Sequence, residues 1–322
     1  ANVGFTGTGR APGNVYGTPL DEAKTIYNSK QEKIEPADKR VVRKEVAGFF
    51  AASASTEKGG RALDMLVAFN SIPTQNPYSG AYADPRGLMI SDGIIVADHP
   101  NGRSPMFVVR KTGEVEIAEK IMPAEYPSIW LAHSGQTLIR RGGKDIIAAD
   151  RVTPGARMAV GLSEDRRYLF IVATDDGETG RYNTGTNHHD LNAIFAELGA
   201  SDAMVTDCNS SNALVVKDRE SGYRILNRYP KGGDPNVAFA SIGIYLEGKK
   251  TPGGKAVAKP VQKEGVISAK ITQGRLNVYR EKPPPAEMQL KGPVRVRVST
   301  ELPRFKRPVL NVVALFDVKG EW

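Results

Sequence analysis

The chain has 322 residues, 40% hydrophobic and 25% charged, with 44 Lys plus Arg against 36 Asp plus Glu and a net charge of +8. That length allows a large core in one domain or two, and no apolar run approaches the roughly 18 to 20 residues of a bilayer-spanning helix. The single cysteine, Cys208, excludes an intramolecular disulfide and zinc sites built on cysteine pairs.

Of four histidines only His188 and His189 adjoin, and neighbours on a helix point about 100° apart, which does not suit a shared metal. A lone thiol fits the cytosol or a bacterial envelope protein. The chain starts at Ala1 with no visible leader, as a mature, trimmed or recombinant product would. Residues 247–322 hold 16 Lys plus Arg against 7 Asp plus Glu, so the rest of the chain is nearly neutral. A basic tail of this kind either contacts anionic polymers or solubilises strand faces, and no nucleic-acid motif accompanies it.

Residues 1–38 are rich in Gly, Pro, Asn and Lys and predict an extended arm with one short helix at 20–27. Gly7-Thr8-Gly9 has no strand before it and is not a phosphate loop. Val41-Val42 and Val46–Phe50 suit a strand or a short helix. Leu66–Phe69 predicts a buried strand that delivers Asn70 to its end, and Pro73 and Pro77 force a loop after it. Ser91-Asp92-Gly93 and Lys111-Thr112-Gly113 predict the turns of two hairpins, with Asp92 as a turn former. Short strands follow at Ile129–Ala132 and Thr137–Ile139, with His133-Ser134-Gly135 as a loop between them.

The most patterned stretch is 157–216. Leu191, Ile194, Phe195 and Leu198 make one apolar stripe and predict a helix over 190–198, capped by Thr186 or Asn187 and ended by Gly199. Apolar runs of strand length flank it at 168–173, 203–205 and 213–216, and polar residues gather at their ends in 174–177 and 206–212. Strands are also expected at 223–227 and 237–246. Residues 247–265 read as a linker, and 266–322 as a small β-sandwich-like module in which Val294, Val296 and Val298 oppose Arg295 and Arg297. The fold class is therefore α+β: a mixed β-sheet core with a few packed helices over 39–246, plus a small C-terminal β domain.

The motif order of residues 60–246 resembles the phosphodiester glycosidase family. Arg157 and Gly161 match the family's Arg-Thr-x-x-Gly strand start, with Met158 where Thr is usual. Asp176-Gly177 match its Asp-Gly strand end, Gly185 the glycine before its helix, and Asp190 stands where the helix carries Glu. Asp207 and Ser211 match the ends of its Asp-Gly-Gly-Gly-Ser loop, with Cys208, Asn209 and Ser210 in place of the glycines. Of its Asn-Gly-Gly-Tyr-Phe motif only Asn70 remains, and Pro235 stands where many members have Arg.

The resemblance implies a glycosyl phosphodiester substrate in envelope glycopolymer or glycan metabolism, and a secreted or periplasmic location. It makes Asp207 the leading catalytic carboxylate with Asp176 or Asp190 as the second, and Arg157 the phosphate ligand. Asn70, Asn209, Ser210, Ser211 and Gly177 complete the implied substrate contacts; for Asn70, capping a turn is the alternative. No cofactor is predicted, and a divalent cation is left open because no ordered ligand loop is present. Cys208 has no partner base at recognisable spacing and reads as an inert thiol. Two functions stay open: a hydrolase, or a catalytically degenerate member that binds carbohydrate or phosphate or serves structurally.

Overall fold

A computed structural model of the protein describes residues 2–7, 41–42, 46–55, 62–71, 82–83, 87–98, 105–174, 185–208, 212–218, 221–227, 240–247, 266–272, 275–279, 294–301 and 310–317. The expected helix at 20–27, the loop 229–235, most of the linker, and site candidates Asp176, Gly177, Asn209, Ser210 and Ser211 lie outside the described residues.

Along the chain come β1 (Asn2–Gly7), β2 (Val41–Val42), α1 (Val46–Ala54), β3 (Asp64–Ser71), β4 (Tyr82–Ala83), β5 (Leu88–Ser91) and β6 (Ile94–Asp98). Next are β7 (Met106–Arg110), β8 (Val115–Ala118), β9 (Ile129–Ser134), β10 (Thr137–Arg141), β11 (Lys144–Asp145), β12 (Arg157–Ser163) and β13 (Tyr168–Thr174). Helix α2 (His188–Glu197) precedes β14 (Ala200–Cys208), β15 (Leu214–Asp218), β16 (Gly222–Ile225) and β17 (Ala240–Glu247). The last strands are β18 (Val266–Thr272), β19 (Arg275–Tyr279), β20 (Val294–Glu301) and β21 (Leu310–Asp317).

Three large sheets result, in the orders β1-β17-β3-β15-β16, β6-β5-β9-β7-β8 and β11-β10-β14-β12-β13-β21-β20-β18-β19. The protein is thus mostly β with few helices. Among the described strands only β18 and β20 pair in parallel, so the expected mixed core is antiparallel wherever it surrounds the site. Strands β18 to β21 extend the nine-stranded sheet through the pairing of β13 with β21. The first residues of the expected arm form β1, which pairs with β17.

The nearly unbroken apolar runs follow from strands covered on both faces. Met158, Val160, Leu162, Leu169, Ile171 and Ala173 point into a core shared with Val67, Phe69, Phe107, Leu131, Ile242 and Ile244 of the other two sheets. Their alternates Ala159, Phe170 and Val172 pack instead on Leu191, Ile194 and Phe195 of α2. Helix α2 lies close to β12 because Gly161 has no side chain; a Cβ there would stand 2.6 Å from the Phe195 ring. The predicted cap is Asn187, whose side chain accepts from Asp190 N, and the helix ends before Gly199 at φ +80°.

One expectation is corrected. His133 and Ser134 are not in a loop but on β9, with His133 fully buried. The imidazole is satisfied by two hydroxyls, Ser71 Oγ at 2.7 Å from Nδ1 and Ser91 Oγ at 3.1 Å from Nε2, which ties β3 to β5 and β9. Sequence pattern missed this because both serines come from distant strands.

Burial holds His133 neutral, its pKa pushed down to about 3. The unfolded chain therefore takes up this proton first, near the usual pKa of about 6.5. Stability from this group is complete above that value and falls as the pH drops toward 3, by up to ~1.4 kcal/mol per pH unit. In urea titrations between pH 3.5 and 7, His133→Gln should show a shallower acid loss than the native protein by that increment, and an equal slope would refute the assignment.

Candidate active site

At one end of the sheets, chemistry gathers around the side chain of Asn70. Its Nδ2 donates to Asp207 Oδ2 at 2.6 Å and to Asn212 Oδ1 at 3.2 Å, while its Oδ1 accepts from Ala213 N at 3.0 Å. The network continues through Asn227, which donates to the Asn212 carbonyl at 2.6 Å and accepts from Leu214 N at 2.7 Å. Asn70, Asp207, Asn212 and Asn227 are all buried.

The local cause is a β-bulge in β14. Met158 pairs with Asp207 and Ala159 with Val205, so Thr206 is the extra residue. Thr206 Oγ1 reaches the carbonyls of Asn70 and Met158 at 3.2 Å each. Two consecutive polar side chains of β14, Thr206 and Asp207, are thereby brought to the end of β3. Asp207 Oδ1 also accepts from Cys208 N at 2.8 Å. The Asn212 Nδ2 group is buried and has no hydrogen-bond partner among the described residues, which makes it a donor available to a ligand.

Arg157 starts β12 on the next rung, opposite Cys208. It is 7% exposed, with Nη1 donating to the Ala156 carbonyl at 2.8 Å and Nη2 to the Thr153 carbonyl at 3.0 Å. Its Nε is buried and has no partner among the described residues. Its backbone N donates to Thr174 Oγ1 at 3.1 Å, and that hydroxyl lies 2.7 Å from Thr186 Oγ1 just before α2. Gly155 and Thr186 bridge the two segments, and Gly185 fits only because a Cβ would stand 2.1 Å from the Gly155 carbonyl. Burial lowers the Arg157 pKa, while Cys208 and Asp207 act to raise it.

The side chains of Arg157 and Asp207 do not hydrogen-bond one another. They occupy adjacent rungs and feel one another's charge, but Asp207 turns to β3, while the Arg157 guanidinium bonds the segment before β12, which Gly155 bridges to Thr186 ahead of α2. Asn70 joins the site directly. Asp190 lies at the same helix end, where its carboxylate accepts from Asn187 N at 2.9 Å, so it acts as a cap. Cys208 Sγ accepts from Gln136 Nε2 at 3.0 Å, and burial with the nearby Asp207 pushes its thiol pKa up, so it is no activated nucleophile.

Sequence reading passed over Asn212, Asn227 and Thr206 as site residues. Asn212 and Thr206 stood in the polar cluster 206–212, a usable signal. Asn227 gave none, since its partners are set by the pairing of β15 with β16.

The phosphodiester glycosidase family model matches residues 64–244. Among solved structures, the zebrafish N-acetylglucosamine-1-phosphodiester alpha-N-acetylglucosaminidase catalytic domain, auto-inhibited by its pro-peptide, is similar with a TM-score of 0.50 at 13% identity. That match covers 77% of this chain and 89% of the zebrafish domain. A hypothetical protein from Synechocystis gives a TM-score of 0.48 at 10% identity, over 76% of this chain and 57% of its own. No curated protein matches the chain in sequence.

The Asn70 contact tests the network. Asn70→Asp sets a second carboxylate against Asp207, so one of the pair holds its proton to a raised pKa. The native-state pKa then exceeds the unfolded one, and stability present at low pH is lost as the pH rises through it. Denaturation midpoints of Asn70→Asp should be lower at pH 7.5 than at pH 5, relative to Asn70→Ala, which removes the amide without adding charge. Parallel pH profiles for the two variants would contradict the contact.

Proposed function

The chain belongs to the phosphodiester glycosidase family, and from that premise we propose that it hydrolyses a sugar-1-phosphodiester. The observation that carries the reading is the Asn70–Asp207 hydrogen bond of 2.6 Å on the rung beside a buried guanidinium. A carboxylate and a cation so placed answer the two charges that develop as the bond breaks, positive on the sugar ring and negative on the departing phosphate.

In the proposed reaction a water oxygen attacks the anomeric carbon as the bond from that carbon to the phosphate oxygen breaks. The electron pair leaves with the phosphate, and Asp207 accepts a water proton that later passes to solvent. Asn70 orients the carboxylate by donating to Oδ2. Arg157 contacts the phosphoryl oxygens, and the Asn212 Nδ2 group adds a donor for sugar or phosphate. Asp176 is the second carboxylate on the strength of the resemblance, since Asp190 is engaged in the cap of α2. By the same resemblance, Asn209, Ser210, Ser211 and Gly177 line the substrate.

The substrate belongs, on this reading, to envelope glycopolymer or glycan metabolism, and the protein to a secreted or periplasmic setting. The excess of Lys and Arg in residues 247–322 supports contact with an anionic polymer. A second reading, a binding protein that has lost catalysis, is favoured by one observation. Cys208, in place of a family glycine, sits on the Arg157 rung and brings a side chain where the family has none.

Hydrolysis of nitrophenyl- or UDP-linked N-acetylglucosamine phosphodiesters decides between them. Asp207→Asn should lower kcat at least ~100-fold, the scale of a lost acid–base group. Arg157→Lys should act mainly on the phosphate interaction, with kcat/KM down ~10-fold or more. No turnover by the native protein across several sugars would overturn the hydrolase reading.

A further inference from the structure

Arg157 is buried, yet among the described residues no carboxylate lies within ion-pair distance of its guanidinium, and its Nε has no partner. A charge held this way costs stability unless something answers it. Its surroundings hold a second basic side chain. His188, the first residue of α2, is 8% exposed, and its Nδ1 is buried without a partner among the described residues. Thr186, two residues earlier, is bridged to Gly155, where a Cβ would stand 2.6 Å from Arg157 Nη1. Two basic side chains, each with one orphan nitrogen, thus start the two elements β12 and α2, which the Arg157 N–Thr174–Thr186 hydrogen bonds and the Gly155–Thr186 bridge hold together.

The charged groups around His188 are Arg157 from β12, Arg151 from the segment before it, and His189 on its own helix. None of these three is an acid. Asp145 faces His189, at 3.8 Å, and the Asp190 carboxylate turns back to Asn187 N. Asp207 and Cys208 act on Arg157 from β14. Burial first, and then the neighbouring guanidiniums, keep the imidazole neutral with its pKa pushed down to about 4. An anion arriving at this corner reverses the second cause.

We propose that His188 is a phosphoryl ligand beside Arg157 and takes up one proton from solvent when a phosphoryl group binds. The inference rests on the phosphodiester reading for the identity of the anion, but binding itself requires no turnover. The proton goes to the imidazole and no covalent bond changes. Because the bound state holds the proton more tightly than the empty one, affinity rises as the pH falls. In a catalytic cycle the same group favours retention of the phosphate monoester product at acid pH.

The test is isothermal titration calorimetry on the full chain from pH 5 to 8, in two buffers of different ionisation enthalpy. Sulfate serves as an anion that does not titrate in this range, and phenyl phosphate as a stand-in for the product. The native protein should bind both, with sulfate affinity rising at least ~10-fold from pH 8 to pH 5 and net proton uptake per anion. His188→Gln should bind sulfate within about threefold of native at pH 8 and lose the pH dependence, while His189→Gln should keep it. Arg157→Gln should bind neither anion, with near-ultraviolet circular dichroism confirming that each variant is folded. Absence of binding by the native protein, binding independent of pH, or a pH dependence that survives in His188→Gln would each overturn the proposal. Proton-linked binding without phosphodiester turnover would sink the hydrolase reading alone, and turnover with pH-independent binding would sink this inference alone.

Discussion

The carboxamide of Asn70 is the contact on which the geometry of the site depends. One side chain meets Asp207 on β14, Asn212 in the crossing that follows, and the backbone of Ala213 before β15. The chain passes there from the nine-stranded sheet to a five-stranded one. An amide suits that position because it donates and accepts at once, whereas a carboxylate would repel Asp207 and an apolar side chain would leave buried groups unsatisfied. Its burial removes competing water, so the position of Asp207 is set by protein contacts.

Around this clamp the strand ends divide into two electrostatic regions. The β3 side holds the carboxylate and a run of asparagines; the α2 side holds Arg157 and His188. The separation follows from register. Arg157 and Asp207 are one rung apart on paired antiparallel strands, and the bulge at Thr206 turns Asp207 to β3. A phosphodiester carries both an electrophilic anomeric carbon and an anionic phosphate, so a site with adjacent regions of opposite charge matches its two halves. Desolvation strengthens both regions and raises the cost of leaving either unanswered.

The glycines of this region divide by what they do. Gly161 and Gly185 remain because a side chain would collide with Phe195 or with the Gly155 backbone, so they are required by packing. Cys208, the one described residue among those that replace the family's three glycines, closes β14 opposite Arg157 on β12, with its thiol hydrogen-bonded by Gln136. A side chain is thus accommodated at Cys208, at the end of β14, and excluded where helix and sheet touch.

Much of the fold was legible in the chain itself. The stripe of Leu191, Ile194, Phe195 and Leu198 gives α2 within two residues, and the two Gly-containing turns give their hairpins, because these signals are local. Motif order singled out Asn70, Arg157 and Asp207 without any contact being known. The partners of these residues were not legible. The bulge at Thr206, the Asn212–Asn227 link, the pinning of His133 by Ser71 and Ser91, and the corner of Arg157 and His188 all join residues from separate strands or segments. Periodicity determines which residues are buried and on what kind of element; register and sheet packing alone decide which polar groups meet, because hydrogen bonds and charges act over a few ångströms of space and take no account of distance along the chain.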